Sequence, residues 1–349
     1  MSSQTEQIKQ IIENAQHIVV VQADNPDADS LGSALALEHI LGEMGKQVSL
    51  YCGIDMPSYL RYLDGWDRVS PELPKTFDAS IIVDASTMSL FEKLVQSQQK
   101  PWLAAKPCIV LDHHESVDNL IPFATVTIND GHRASAGELI YLLAQELGWG
   151  VPIEAMSCIM SSILGDTQGL TNQLASAETY RIMSQMVEAG VNRPALEEKR
   201  RAFSKMVVPI YKFKALLINR TEFDESGEIA TVMVPQVEIT QYSPLYNPGP
   251  LVQSDMLQVE GVRVAIVFKS YDDGKITAAI RCNSDAGIAA ELAEHFGGGG
   301  HAFASGFKIT SGRPFNEVKS ECISFATELL AKLNKETPDE TTQHPNQTD

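Results

Sequence analysis

The chain has 349 residues, 44% apolar and 21% charged, the composition of an ordinary soluble protein long enough for two domains. Its net charge of −18 excludes broad electrostatic adhesion to long nucleic acid or anionic membrane, but not a small phosphorylated ligand held through divalent cations. Five scattered cysteines without a C-x-x-C pair, a polar Met1–Gln10 and no run near the ~20 apolar residues of a membrane span predict a reduced, cytoplasmic protein with no membrane partner.

Residues 5–15 carry Ile8, Ile11 and Ile12 at helical spacing. The β-branched run His17–Val21 reads as a buried parallel strand, and it leads into a turn holding Asp24, Asp27 and Asp29. Pro26 favours an extended Asn25, so Asp27 and Asp29 can point to one site from a non-helical turn. The competing reading is that Asp29 or Ser30 caps the helix that follows, which runs to about Gly45. Gln47–Tyr51 is a second strand. A third, Ser80–Val83, ends in Asp84, a fourth, Cys108–Leu111, ends in Asp112-His113-His114, and Ala124–Ile128 is a fifth. Strands alternating with helical patterns predict an α/β fold with a doubly wound, mainly parallel sheet and helices on both faces.

Ser135–Leu147 and Ile153–Leu164 follow as helices, the second unusually apolar. Gly165 reads as the glycine that ends it, leaving Asp166 in a turn. Polar helical patterns at Ala177–Ala189 and Pro194–Phe203 suggest a connector. The expected division is an N-terminal domain over 1–190, a helical connector over 191–210, a smaller C-terminal α/β domain over 211–335, with a cleft between the two domains, and a disordered tail over 336–349.

The second domain has β-like runs at Leu216–Arg220, Ile229–Pro235, Val262–Ser270 and Lys275–Cys282, the last two joined by the turn Asp272-Asp273-Gly274. A helix, Gly287–Phe296, leads into Gly297-Gly298-Gly299-Gly300-His301, and a strand, Ala304–Ile309, and a helix, Phe315–Leu333, close the domain. The glycines either let backbone N–H groups converge on an anion, with Arg281 and His301 adding contacts, or form a flexible linker. The helix before and the strand after favour the anion site. Arg133 and Ser135 are weaker candidates for substrate contact.

Four apolar segments thus end in Asp27/Asp29, Asp84, Asp112-His113-His114 and Asp166. Acids that follow apolar strands stand at the carboxyl edge of a sheet, where open α/β sheets hold ligands. Together they propose carboxylates and imidazole around one site, a donor set that suits Mn²⁺ or Mg²⁺ better than a structural zinc. A carboxylate shared by two ions would hold them about 3.5–4 Å apart, the spacing used in phosphoryl displacement.

Asn25-Pro26-Asp27-x-Asp29, Val83-Asp84, Asp112-His113-His114 and Gly165-Asp166-Thr167 resemble, in order and spacing, the four motifs of the DHH phosphoesterase family. Gly297–Gly300 with His301 resembles the glycine-rich motif of that family's associated C-terminal domain. The motifs span residues 18 to about 310, and the arrangement is similar to the short two-domain members, the oligoribonucleases and 3′-phosphoadenosine 5′-phosphate phosphatases of NrnA type. The resemblance implies two Mn²⁺ ions: Asp27 on one, Asp29, His113 and Asp166 on the other, and Asp84 bridging. It also implies that His114 faces the scissile phosphate and that Asp112 orients the histidine pair. Ala23 departs from the pattern, because the family has a histidine there. Gln22, Asp24 or water are the substitutes available, and oxygen ligation tilts that position toward Mg²⁺.

The implied reaction is hydrolysis of a short oligonucleotide or phosphonucleotide by water activated between two ions, in a protein that does not bind long duplexes and whose family includes homodimers. No G-x-S-x-G elbow points to a side-chain nucleophile. The alternatives are a nucleotide-binding regulatory protein that has lost catalysis through Ala23, and a cyclic-dinucleotide phosphodiesterase.

Overall fold

The structure is a computed structural model and describes residues 3–114, 120–242 and 247–336; the expected tail beyond 336 lies outside them. The chain forms two units, Met1–Lys205 and Met206–Asp349. In the first, β1 (His17–Gln22), β2 (Gln47–Cys52), β3 (Val69–Ser70), β4 (Ala79–Val83), β5 (Cys108–Asp112) and β6 (Val126–Asn129) form a sheet in the order β3-β2-β1-β4-β5-β6, with every pair parallel. The central strands are runs of Val, Ile and Leu buried along their length, because helices cover both faces. Strand order reverses between β1 and β4, so the connections leaving them diverge and open a crevice at the carboxyl edge.

The helices of this unit are α1 (Ser3–Asn14), α2 (Ala28–Glu43), α3 (Glu92–Gln96), α4 (Lys100–Ala104), α5 (Ala136–Leu147), α6 (Ile153–Asp166), α7 (Ala177–Glu188) and α8 (Arg193–Phe203). Ile18, Val20, Ile81, Val83, Ile109 and Leu111 meet α1, α2, α5 and α6 on one face. Val19, Val21, Ile82 and Val110 meet Phe91, Leu94 and Leu103 on the other. Helix α2 begins where Asp27 caps it: Asp27 Oδ1 accepts from the N–H groups of Asp29 at 2.9 Å and Ser30 at 3.0 Å. The cap is therefore Asp27, not Asp29 or Ser30, and Asp29 lies inside the first helical turn rather than in an open loop.

Gly165 does not end α6. The helix continues through it to Asp166, and its missing side chain serves close packing instead: a Cβ there would lie 2.8 Å from Ala28 Cβ on α2. Glycine that usually stops a helix here lets two helices touch.

In the second unit, β7 (Glu222–Phe223), β8 (Ile229–Pro235), β9 (Val264–Ser270), β10 (Ile276–Cys282), β11 (Gly299–His301) and β12 (Ala304–Ile309) lie in the order β11-β12-β10-β9-β8-β7. Only β8 and β9 run parallel; the other pairs are antiparallel. Helices α9 (Val208–Arg220), α10 (Gln236–Tyr242) and α11 (Pro248–Leu257) cover one face, and α12 (Ala289–His295) and α13 (Phe315–Glu336) the other. Leu216–Arg220, expected as a strand, is the end of α9. The apolar run is real, but Ile210, Phe213 and Leu217 recur at helical spacing and are the residues buried. The five cysteines are buried and free. No helix among the described residues is long and apolar enough to cross a membrane.

Candidate metal centre

Asp29, Asp84, His113 and Asp166 come together at the carboxyl edge, each offering a ligand atom within 4.8 Å of the others. His113, the first residue beyond β5, presents Nε2 at 3.0 Å from Asp166 Oδ2, 3.3 Å from Asp29 Oδ2 and 3.5 Å from Asp84 Oδ1. Its other nitrogen, Nδ1, lies 3.2 Å from the Arg133 carbonyl, which accepts the proton there, so Nε2 is the nitrogen turned toward the carboxylates. None of the three close approaches has hydrogen-bond geometry. His113 Nε2 and Asp84 Oδ1 are therefore buried without a partner. A single proton on Nε2 could satisfy one carboxylate, whereas a divalent cation accepts all four donors and offsets their charge. The residues fit such an ion.

Asp29 is fully buried and heavily supported. Its Oδ2 accepts from Ala136 N–H at 2.8 Å, and its Oδ1 from Gly137 N–H at 3.2 Å, Ser33 Oγ at 2.9 Å and Ser162 Oγ at 2.6 Å. Burial alone would raise its pKa, but the close approach and positive charge of His113, with hydrogen bonds from Ser162 and the Ala136 N–H, outweigh it and hold the carboxyl at about 2. Burial, and then the Asp29 charge, push Asp166 up to about 7 and Asp84 well above the usual range. For His113 burial acts downward, and the carboxylates of Asp166, Asp29 and Asp84 outweigh it to raise the imidazole far above its ordinary value. One acid is made comfortable and two are left in need of positive charge. Asp84 also has φ +55°, a left-handed conformation uncommon for a residue with a side chain and frequent where function demands it.

His114 stands at the rim, with Nδ1 2.7 Å from Asp112 Oδ1 and 3.8 Å from Asp84 Oδ1. Asp112 is buried, and the same Oδ1 accepts the His113 N–H at 2.8 Å, so one carboxylate fixes both histidines.

Other sequence candidates take different places. Asp27 is exposed and outside the four-residue set, with one oxygen engaged in the α2 cap. Ala23 packs in the apolar cluster with Val21 and Tyr51. Gln22 is buried with both amide atoms unpartnered at the end of β1, while Asp24 Oδ2 accepts the Lys93 N–H at 2.7 Å. Ser135 is buried, and its hydroxyl caps α5 through the Glu138 N–H, which removes it from substrate contact. The guanidinium of Arg133 pairs with Asp130 and Glu178; its contribution here is the carbonyl that orients His113.

In the second unit, Arg281 and His301 both stand in register with Ala304, one on either neighbouring strand; the His301 side chain lies outside the described residues. Arg281 is half-buried, with Nη1 donating to the Ile280 carbonyl at 2.9 Å. The glycine run is no linker: it carries β11, which pairs with β12. A Cβ at Gly298 would lie 2.2 Å from the Gly306 carbonyl oxygen, and one at Gly300 2.6 Å from that of Ala304, whereas Gly299 meets nothing within 4 Å. Sequence reasoning missed Ser33 and Ser162, which hold Asp29. The signal available was the adjacent pair Ser161-Ser162 inside the apolar stretch of α6.

A parallel, doubly wound α/β sheet with carboxylates and imidazole at its reversal point is the architecture of an α/β protein that binds its ligand at the carboxyl edge. The chain belongs to the DHH family: the family's N-terminal domain matches residues 17–164, and the DHHA1 domain matches residues 246–332. It is similar to the bifunctional oligoribonuclease and PAP phosphatase NrnA of Bacillus subtilis, with 23% identity over 298 residues, 84% of this chain and 90% of that protein. Among solved structures, an exopolyphosphatase-related protein from Bacteroides fragilis matches with a TM-score of 0.80 and 20% identity, covering 95% of this chain and 97% of the other. RecJ of Thermus thermophilus in complex with Mn²⁺ matches with a TM-score of 0.53 and 15% identity over 96% of this chain and 55% of its own.

Proposed function

We infer that the protein is a divalent-cation-dependent phosphoesterase whose substrate is a short oligonucleotide or a 3′-phosphonucleotide, as in the relative from Bacillus subtilis. The observation that carries this reading is the pair of buried, unpartnered atoms, His113 Nε2 and Asp84 Oδ1, facing the carboxylates of Asp29 and Asp166. A divalent cation, when bound, supplies positive charge for a phosphoryl group and lowers the pKa of water. Mn²⁺ suits three carboxylates and one imidazole, and a RecJ structure holds that ion.

The chain's own residues do the rest. Asp29, His113 and Asp166 would hold the cation, with Asp84 offering a carboxylate oxygen as the fourth donor from the strained turn after β4. His114, oriented by Asp112, is placed to donate a hydrogen bond to a phosphoryl oxygen at the rim. Asp27 would serve a second ion with Asp84. Arg281 and the backbone around Gly299 would contact a substrate phosphate.

The test is Mn²⁺- and Mg²⁺-dependent release of mononucleotides from di- to pentanucleotides, and of phosphate from 3′-phosphoadenosine 5′-phosphate. Turnover with either ion supports the reading. One observation favours a second reading, a regulatory nucleotide binder: Ala23 offers no ligand, and Asp27 falls outside the four-residue set. Tight nucleotide binding with no turnover under either ion would select it.

A further inference from the structure

A groove of about 460 Å³ lies in the first unit beside the acidic cluster. Its lining includes Ala28 and Gly165, the immediate chain neighbours of Asp29 and Asp166, so the groove leads away from the metal centre. Helix α8 supplies Arg193, Arg200 and Arg201 to its lining against a single acid, Glu197. That balance is unusual for this chain, which has 27 basic residues against 45 acidic ones. Arg200 forks onto Glu197 through Nε and Nη2, each at 2.8 Å, and Arg201 Nε reaches the same carboxylate at 2.8 Å, so one acid is divided between two solvent-facing guanidiniums and neutralises only one of their charges. Arg193 makes no ion pair among the described residues. Cations that converge on one groove with too few acids to neutralise them attract phosphate.

The groove also has an aromatic element. Tyr59 is 51% exposed, and its hydroxyl donates to the Pro26 carbonyl at 3.2 Å, which fixes the ring next to Asp27. An exposed ring held this way is a stacking platform for a base. The volume falls within the about 300–1,000 Å³ typical of small-molecule sites.

We propose that this groove binds the nucleotide adjoining the scissile phosphate of a short single-stranded oligonucleotide, with its phosphate on Arg193 and Arg200 and its base on Tyr59. The assignment of the neighbouring phosphate as scissile rests on the phosphoesterase reading; the nucleotide site itself does not. Such a groove lets an acidic protein hold an oligonucleotide beyond the single phosphate at the metals.

The experiment measures binding of fluorescein-labelled, phosphorothioate-linked pentaadenylate to the full-length protein with Mg²⁺ over a salt series. Arg193→Gln/Arg200→Gln should weaken affinity about tenfold and flatten the slope of log Kd against log salt by roughly 0.7 for each phosphate that is no longer neutralised. Tyr59→Ala should weaken affinity without changing the slope, because stacking carries no net charge. Lys9→Gln/Lys106→Gln, the same charge change elsewhere on the first unit, should change neither. Equal losses in groove and control variants, no loss in the groove variants, or no binding of the probe to the parent protein would each overturn the proposal. Hydrolysis is read separately. Oligonucleotide turnover with no effect of the groove changes removes the groove alone, and groove-dependent binding without turnover removes the phosphoesterase reading alone.

Discussion

The carboxylate of Asp29 sits on the N-terminus of α5, its Oδ2 accepting the Ala136 N–H at 2.8 Å. Two backbone donors that a helix leaves unpaired, together with its positive dipole end, thus stabilise a carboxylate that faces the candidate metal centre. Asp84, on the same centre, has a buried oxygen with no partner at all. The two carboxylates are therefore built to opposite energetic purposes.

That contrast sets the first prediction. Without added metal, Asp29→Ala should lower stability by about 2–3 kcal/mol, because it strands the Ala136 amide and the Ser33 hydroxyl in the core, while the Gly137 amide keeps Ser162 and the Ser162 hydroxyl keeps Ser135. Asp84→Asn should raise the melting temperature of the metal-free protein, because it replaces a buried acid whose charged form burial, and then the neighbouring Asp29, oppose. With saturating Mn²⁺ the order should reverse for Asp84→Asn, since only the wild type gains binding free energy. Thermal unfolding of the three proteins, with and without ion, gives the result; destabilisation of the metal-free protein by Asp84→Asn would contradict the account.

Much of this centre was legible in the sequence, because an apolar strand that runs into an acid or an imidazole leaves few other places for that side chain. Asp84, Asp112, His113 and His114 are of that kind. Asp27 and Asp29 were harder, since capping and ligation draw on the same residues, and only coordinates tell which oxygen each donor takes. Gly165 misled for a related reason: glycine ends helices and also lets helices meet, and the difference lies in the partner, Ala28, 137 positions away. Helix α9 shows the limit of local pattern, where Leu216 and Ile218 extend an apolar run but are exposed, and helical burial follows Ile210, Phe213 and Leu217. The groove beside α8 could not be read from sequence at all, because it needs Tyr59 and Arg193, far apart in the chain, to line one concavity.

Asp112 is the second test. It touches both histidines but is not among the ligands. Asp112→Asn should keep Mn²⁺ affinity within a few-fold by calorimetry while lowering kcat about 10- to 100-fold, as the His114 ring loses the partner that orients it. Loss of metal affinity equal to the loss of kcat would instead make Asp112 a support of His113 alone.

Gly165 supplies the third. Alanine there would press on Ala28, and relief requires α6 to back away from α2, carrying Asp166 with it. Gly165→Ala should weaken Mn²⁺ binding at least tenfold while the far-ultraviolet circular dichroism stays native, because the displacement needed is a fraction of an ångström and ligation distances tolerate little. Unchanged affinity would mean that the helix packing has slack the structure does not display.

The glycine run separates packing from chemistry, and three single substitutions distinguish them. Gly298 and Gly300 are required by the backbone of β12: an added Cβ meets the Gly306 or Ala304 carbonyl oxygen, and Gly300 has φ +141° besides. Gly298→Ala and Gly300→Ala should each destabilise the second unit by about 2–3 kcal/mol, whatever the run binds. Gly299 has ordinary φ and open space around it, so packing gives no reason for glycine there. If the run approaches a substrate phosphate, Gly299→Ala should keep the native melting temperature and raise KM for a pentanucleotide several-fold, because the new methyl occupies the space a phosphate would enter. The discriminating result is therefore the one at the least constrained position: an unchanged KM at Gly299→Ala would reduce the whole run to a device for seating β11 against β12.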